Sequence, residues 1–251
     1  MVATAVSKRS ARAKPKRVDH GQRRKVVADS LLTDIFQGSL KAGEHLVIHD
    51  LAQRYGVSPT PIREALVTLE GIGIVDIEPN CGAVVRRVTE ADVKEVCQVR
   101  RALECTAVRS ACGRIDLGEL HDLAAAFRER SDVPLGRKKS RSANADRSVQ
   151  KAIDEARTLD SRLHDLIAES CGNGFLAKEL GRLKLLFRTF RDAAWDRRST
   201  EKDLLRFAEE AREHLAIVEA LQAGDAHAAS QAMAKHIRSG VKYWSRGLPK
   251  E

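Results

Sequence analysis

Four residues in the C-terminal half of the chain have side chains of the types that bind transition metals. Asp160 and His164 are four residues apart, so on a helix they share one face, one turn apart. His214 and His236 each lie within an apolar pattern typical of an amphipathic helix. Three imidazoles and one carboxylate match zinc, with nickel and manganese as further candidates. Each histidine taken alone is more often an ordinary partly buried residue, so a metal site requires all four to meet.

A bundle of helices is needed to bring these four residues together. The sequence predicts helices at about 90–111, 117–130, 147–171, 174–196, 200–223 and 225–245, without strand signals. Thr89 suits the N-cap of the first, and glycine-containing segments at 172–174 and 224–225 predict breaks. We therefore predict an all-α bundle of about six helices over residues 89–245, followed by a tail at 246–251.

Residues 44–66, EHLVIHDLAQRYGVSPTPIREAL, predict a helix-turn-helix. In the first helix, Leu51 and Ala52 follow Ile48 at the spacing of a buried face, and Gly56 can end the helix in a left-handed conformation. Ser58 or Thr60 can act as N-cap of the second helix. The second helix has an apolar face formed by Ile62, Ala65, Leu66 and Leu69. Its polar first turn is therefore free to enter a DNA groove.

The next segment, GIGIVDIEPNCGAVVRRV, predicts a β-hairpin. Two short apolar runs flank residues 79–82, where Asn80 and Gly82 suit a turn. A helix-turn-helix followed by a hairpin is a winged helix, which we predict over residues 21–88. A generic three-helix core is the alternative for the helix-turn-helix alone. The predicted fold is mainly α, with an N-terminal winged helix-turn-helix and a C-terminal helical bundle.

This region resembles the GntR family of bacterial transcription regulators over about the first third of the chain. The matching residues are Ala42-Gly43-Glu44, Leu46, Leu51-Ala52, Gly56-Val57-Ser58, Thr60-Pro61-Ile62-Arg63-Glu64-Ala65-Leu66, Leu69-Glu70, Gly73 and Gly82. The resemblance implies a homodimer that binds double-stranded DNA at a palindromic operator. It assigns groove and phosphate contacts to Ser58, Thr60 and Arg63. Gly82, at the wing tip, would approach the minor groove.

Two positions depart from the best-known family pattern. Pro59 stands where many members carry an arginine that reads guanine, and His49 stands where some carry another arginine that contacts DNA. These departures concern which operator is recognised and leave the mode of binding unchanged. With Asn80 in the turn, they complete the candidate DNA-binding residues.

The predicted bundle resembles the FCD domain, the ligand-binding domain of the FadR-like branch of the same family. The matching residues are Arg100, Leu103-Glu104, Asp160-Ser161-Arg162-Leu163-His164, Gly172-Asn173, Glu213-His214, Gly224-Asp225 and His236. In that branch an aspartate, the histidine four residues later and two further histidines coordinate a metal. The resemblance thus implies that Asp160, His164, His214 and His236 are metal ligands. It also implies a small organic acid as effector, because members that bind acyl-CoA tend to lack this set.

The effector hypothesis adds two arginines and a coupling element. Four protein ligands leave one or two coordination positions open for an effector carboxylate. Arg188 and Arg191 could clamp a second carboxylate, because a guanidinium pairs bidentately with such groups, or they could be surface residues. The first bundle helix, directly after the wing, is the expected coupling element.

We expect a transcription repressor rather than an enzyme. A purely structural metal is the closer alternative. A metal-dependent hydrolase is the other alternative, but it would also need a general base and would leave the winged helix unexplained.

Charge and cysteine content agree with this interpretation. The chain contains 44 lysines and arginines against 35 acidic residues, and nine of these bases fall within residues 1–25. We expect residues 1–20 to form a disordered basic arm that follows phosphates, or else a solubilising tail. Five cysteines without paired short spacings describe neither a disulfide framework nor a zinc ribbon. Without a signal peptide or a run of ~20 apolar residues, we expect a cytoplasmic protein with no membrane partner.

Overall fold

The computed structural model describes residues 20–79, 81–131, 143–195, 200–246 and 248–250. The N-terminal elements are α1 (His20–Phe36), β1 (His45–Leu46), α2 (Ile48–Tyr55), α3 (Pro59–Ile72), β2 (Val75–Glu78) and β3 (Gly82–Val85). The C-terminal elements are α4 (Glu90–Ala111), α5 (Leu117–Ser131), α6 (Ala143–Ser170), α7 (Gly174–Trp195), α8 (Thr200–Gln222) and α9 (Ala226–Trp244). The prediction of a mainly α fold, with a winged helix-turn-helix and a helical bundle, is confirmed.

Helices α2 and α3 form the helix-turn-helix. Helix α2 ends at Gly56, which adopts the left-handed conformation with φ 64°. Ser58 occupies the N-cap position of α3, although its side chain makes no capping hydrogen bond. Pro59 follows at the first helical position, where the missing N–H has no intrahelical partner to lose. The buried residues of α3 are those expected from the spacing: Ile62, Ala65, Leu66 and Leu69.

A three-stranded antiparallel sheet forms the wing. Strands β2 and β3 pair with Glu78 opposite Gly82, which confirms the predicted hairpin. Strand β1 pairs with the other edge of β3, with Leu46 opposite Ala83, giving the order β1-β3-β2. The sequence analysis did not predict β1, because two residues are too few to show a period of two.

The C-terminal helices pack around an aliphatic core. Helix α4 begins with a capping box, in which the Thr89 hydroxyl accepts the Asp92 N–H and the Asp92 carboxylate accepts the Thr89 N–H. Helix α4 lies along α9, and α5 lies along α8. Completely buried residues of this core include Ala107, Leu123, Leu163, Ile217 and Met233. Close packing of small and branched side chains fixes the helix faces that point inward.

The structure also shows the state of the cysteines and the character of the helices with respect to a membrane. Cys81 is exposed, Cys97 is buried, and all five cysteines are unpaired. Among the helices that the structure describes, none combines the length and apolar composition needed to cross a bilayer.

Gly82 should be essential to the wing. Its φ of 102° is strained for other residues, and an added Cβ would collide with the Leu46 carbonyl oxygen on β1. We expect Gly82→Ala to destabilise the protein by about 1–3 kcal/mol. Gly71→Ala is the control, because a Cβ at this helical position meets open space. Unfolding midpoints should fall for Gly82→Ala and not for Gly71→Ala; equal midpoints would contradict this account of the wing.

Candidate metal centre and DNA-binding surface

Three helices bring the four predicted metal ligands together. Asp160 and His164 lie on α6, His214 on α8 and His236 on α9. One donor atom from each residue lies within 4.8 Å of the others. The Oδ1 atom of Asp160 is 3.3 Å from His214 Nε2 and 3.6 Å from His164 Nε2. Helical spacing explains the pairing within α6, and tertiary packing supplies the other two histidines.

The environment of these side chains fits a divalent transition metal. His214 and His236 are 2% and 6% exposed. The Nε2 atoms of His164 and His214 are buried and have no hydrogen-bond partner. A buried nitrogen without a partner is costly, and coordination to a metal would remove that cost. The metal-ligand role of the four residues remains a prediction, but their placement and chemistry are compatible with it.

The protonation states of two of the three histidines favour metal binding, whereas the Glu104 carboxylate outweighs the effect of burial at His164 and raises the pKa of that imidazole. Burial lowers the pKa of His214, and burial together with the neighbouring His214 lowers the pKa of His236 to about 3. Both imidazoles are therefore neutral near pH 7. A neutral imidazole keeps the lone pair that a metal ligand needs.

A partly buried glutamate, Glu213, fixes the orientation of His236. The His236 Nδ1 atom is 3.0 Å from Glu213 Oε2, and because a carboxylate only accepts, Nδ1 must carry the proton. This leaves Nε2 as the electron-pair donor. Burial favours a high pKa for Glu213, but hydrogen bonds from His236 and Ser239 and the charge of Arg206 hold it at about 2. Arg206, 5% exposed, contacts both Glu213 oxygens at 3.4 Å.

His164 has a matching arrangement on the other side of the cluster. Its Nδ1 atom is 2.5 Å from Glu104 Oε2, and Arg100 donates to Glu104 Oε1 at 2.7 Å. Burial favours a high pKa for Glu104, but the charges of Arg100 and His164 outweigh it and hold the pKa well below its usual range. Two histidines of the cluster are thus each oriented by a glutamate that an arginine holds.

The sequence analysis did not assign roles to these supporting residues. Arg100 and Glu104, like Arg206 and Glu210, form ion pairs four residues apart on one helix. That spacing is the available signal, but it is equally common on solvent-exposed helix faces, where such pairs contribute little. Only the tertiary structure shows that these pairs are buried beside the histidines.

The cluster faces a cavity of about 1050 Å³, bounded by residues of α4 to α9. Asp160, with a side chain 33% exposed, and the three histidines line it. Arg188 on α7 also lines the cavity, and its Cζ atom lies 4.1 Å from the centre of the Phe36 ring on α1. The side chain of Arg191 lies outside the described part of the structure. The cavity volume is of the size that holds a small organic ligand.

The predicted DNA-binding residues of α2 and α3 are exposed on the winged helix. Ser58, Pro59, Thr60 and Arg63 are exposed at the start of α3, and His49 is exposed on α2. Gly82 begins β3, beside the hairpin turn. Asn80 lies outside the described residues. The exposed first turn of α3 has the form of a recognition helix, whose N-terminal residues meet base edges and phosphates. Their individual DNA contacts remain predictions.

A winged helix joined to a helical domain with a ligand-sized cavity is the architecture of a DNA-binding regulator. Residues 23–85 match the gntR family of bacterial regulatory proteins, and residues 95–239 match the FCD domain. The chain therefore belongs to the GntR family and carries a C-terminal FCD domain. The family and the relatives described below are DNA-binding transcription regulators.

Individual relatives support the same assignment. The chain is 26% identical over 208 residues to the HTH-type transcriptional repressor RspR of Escherichia coli, covering 83% of this chain and 82% of that protein. It is 27% identical over 211 residues to a probable D-xylose utilization operon transcriptional repressor of Paenarthrobacter nicotinovorans, covering 84% of each. The solved structure of E. coli McbR/YncC, 18% identical, superposes with a TM-score of 0.67 over 88% of this chain and 96% of that one. That structure shows a shared fold.

Removing the carboxylate beside His236 should weaken metal binding. In Glu213→Gln the amide can no longer act as a charged acceptor for Nδ1–H, so we expect about 10–100-fold weaker Zn²⁺ binding. The control is Glu219→Gln on the same helix, where the side chain is 50% exposed and pairs with Arg128. Titration of metal-free protein against a competing chelator measures both affinities. Unchanged affinity in Glu213→Gln would contradict the positioning role of Glu213.

Proposed function

We propose that this regulator is a repressor whose operator affinity changes when a small organic acid binds at a metal centre. Asp160, His164, His214 and His236 would hold the metal. The observation that carries the proposal is their convergence, with two buried Nε2 atoms lacking hydrogen-bond partners, on the wall of a large cavity. A ligand in that cavity would contact the cluster directly.

The metal-binding residues define the class of effector. A divalent metal, zinc first and nickel or manganese next, would offer open coordination positions to a carboxylate oxygen. Arg188, on the cavity wall, is placed to pair with a second carboxylate of the same ligand. The 33% exposure of Asp160 supports a site that is open on one side. A purely structural metal would instead be enclosed by its ligands on all sides.

The winged helix would act on DNA as one half of a homodimer. Two copies related by a two-fold axis present two α3 helices, which suits the two halves of a palindromic operator. An effector changes operator affinity only if it binds one arrangement of the dimer better than another. We assign the repressor sense because two of the relatives above are named repressors.

Operator binding with a panel of small carboxylic acids tests this function. Metal-quantified protein is titrated onto the DNA upstream of its own gene, with each acid present and absent. We expect one acid to change the affinity by about 5–150-fold, and chelation to abolish the change. His214→Ala should still bind the operator, with the affinity of the chelated parent protein, and should not respond to the acid. An acid response of full size in chelated protein or in His214→Ala would contradict the proposed metal centre.

Arg63 should contribute to DNA affinity on every sequence. If its exposed guanidinium contacts a phosphate, Arg63→Ala should weaken binding to all operators and lower the salt slope by about one. Arg212→Ala removes the same charge from an exposed position on α8 and serves as the control. Binding measured over a salt series distinguishes the two. A salt slope in Arg63→Ala equal to that of the parent protein would contradict a phosphate contact by Arg63.

A further inference from the structure

Helix α7 lies between the cavity and the winged helix, and contacts both. We propose that α7 couples the metal centre to the DNA-binding domain, so that metal binding and operator binding change each other's affinity. The inference rests on the proposed function and specifies the route of regulation. It adds a second element to the expected coupling helix α4, which continues directly from the wing.

On one side, α7 contacts the winged helix at three places. The Arg182 Nη1 atom donates to the Gly71 carbonyl oxygen, near the C-terminal end of α3, at 3.0 Å. Leu186 packs beside Gly73, the residue that ends α3. Arg188 lies over the ring of Phe36, the last residue of α1. Two of these contacts hold the end of the recognition helix.

On the other side, α7 reaches the residues that support the metal ligands. The ring of Phe187 lies 4.1 Å from the Cζ atom of Arg100. The same guanidinium donates to Glu104, which holds His164 Nδ1. A continuous series of contacts therefore runs from His164 through Glu104, Arg100 and α7 to the winged helix. The series consists of side-chain contacts and the helix α7 itself, and it gives a physical route by which a displacement at one site can reach the other.

Arg188 would let a carboxylate effector act on the same contacts. Its side chain lines the cavity and also lies over the ring of Phe36, so it contacts both the cavity and the winged helix. A carboxylate in the cavity would compete with the ring for the guanidinium, because a charge-assisted pair is stronger than an exposed cation–π contact. Phe187 precedes Arg188 on the same helix, so displacement at either residue moves the contacts made by Arg182 and Leu186. A helix shift of this kind is a common element of switching proteins.

Thermodynamic linkage allows a test with Zn²⁺ as the probe. If the sites are coupled, operator DNA must change Zn²⁺ affinity by the factor by which Zn²⁺ changes operator affinity. We expect a factor of about fivefold or more in the full-length protein. In Phe36→Leu combined with Arg182→Gln, the factor should fall below about twofold. Zn²⁺ affinity without DNA should stay within about twofold of the parent value, because neither residue contacts the cluster.

A matched control lies on the same helix. Phe175, 88% exposed near the start of α7, is changed to leucine and should retain the full coupling factor. Each substitution is also made singly, so that a folding defect in one leaves the other to decide. Full coupling in Phe36→Leu and in Arg182→Gln would overturn the role of α7.

Failure of the inference can be distinguished from failure of the proposed function. A parent protein whose Zn²⁺ affinity does not respond to operator DNA overturns the coupling between the two sites. If that protein still releases or tightens on DNA with one carboxylic acid, and loses this response on chelation, the proposed function stands. If no acid has an effect, the proposed function fails as well.

Discussion

Three imidazoles and a carboxylate that face one another inside a protein need hydrogen-bond donors, acceptors or a metal ion as partners for their polar atoms. Here the Nε2 atoms of His164 and His214 are removed from water without gaining a hydrogen bond, which costs free energy in the metal-free protein. The Nδ1 atom of His164 lies beside the Glu104 carboxylate, and the Nδ1 atom of His236 is hydrogen-bonded to Glu213. The nitrogen atoms that lack a partner therefore lie at the shared centre, where coordination to a metal ion would remove this free-energy cost. Metal affinity and stability of the bundle are linked through this cost.

The residues around the cluster keep charged groups stable inside an apolar helical bundle. Each supporting glutamate is kept ionised by an arginine that is itself largely buried, Arg100 or Arg206. Removing one partner would leave a buried charge without a counter-charge. That loss costs more free energy than the intact pair contributes, so each glutamate and its arginine act as a unit. The pairs come from α4 and α8, which pack against α9 and α5 through small and aliphatic side chains. Ordinary core packing therefore brings the ionic groups to the cluster.

Local periodicity explains what could be predicted from the sequence. The buried face of α3, the cap at Thr89 and the break at Gly56 depend on neighbouring residues, and the structure shows each of them. The pairing of Asp160 with His164 is local in the same sense. The approach of His214 and His236 was implied by family resemblance. Strand β1 was missed because it is two residues long, and the role of Arg206 was missed because burial depends on contacts distant in sequence.

The central claim is that the four residues form one metal centre with room for an additional oxygen ligand. X-ray absorption at the zinc edge of the Zn²⁺-loaded protein tests this claim most directly. The account predicts a first shell of nitrogen and oxygen at about 2.0–2.2 Å, with scattering from three imidazoles and no sulfur. His236→Ala should remove one imidazole from that shell. A contribution from sulfur at about 2.3 Å, or a shell unchanged in His236→Ala, would contradict it.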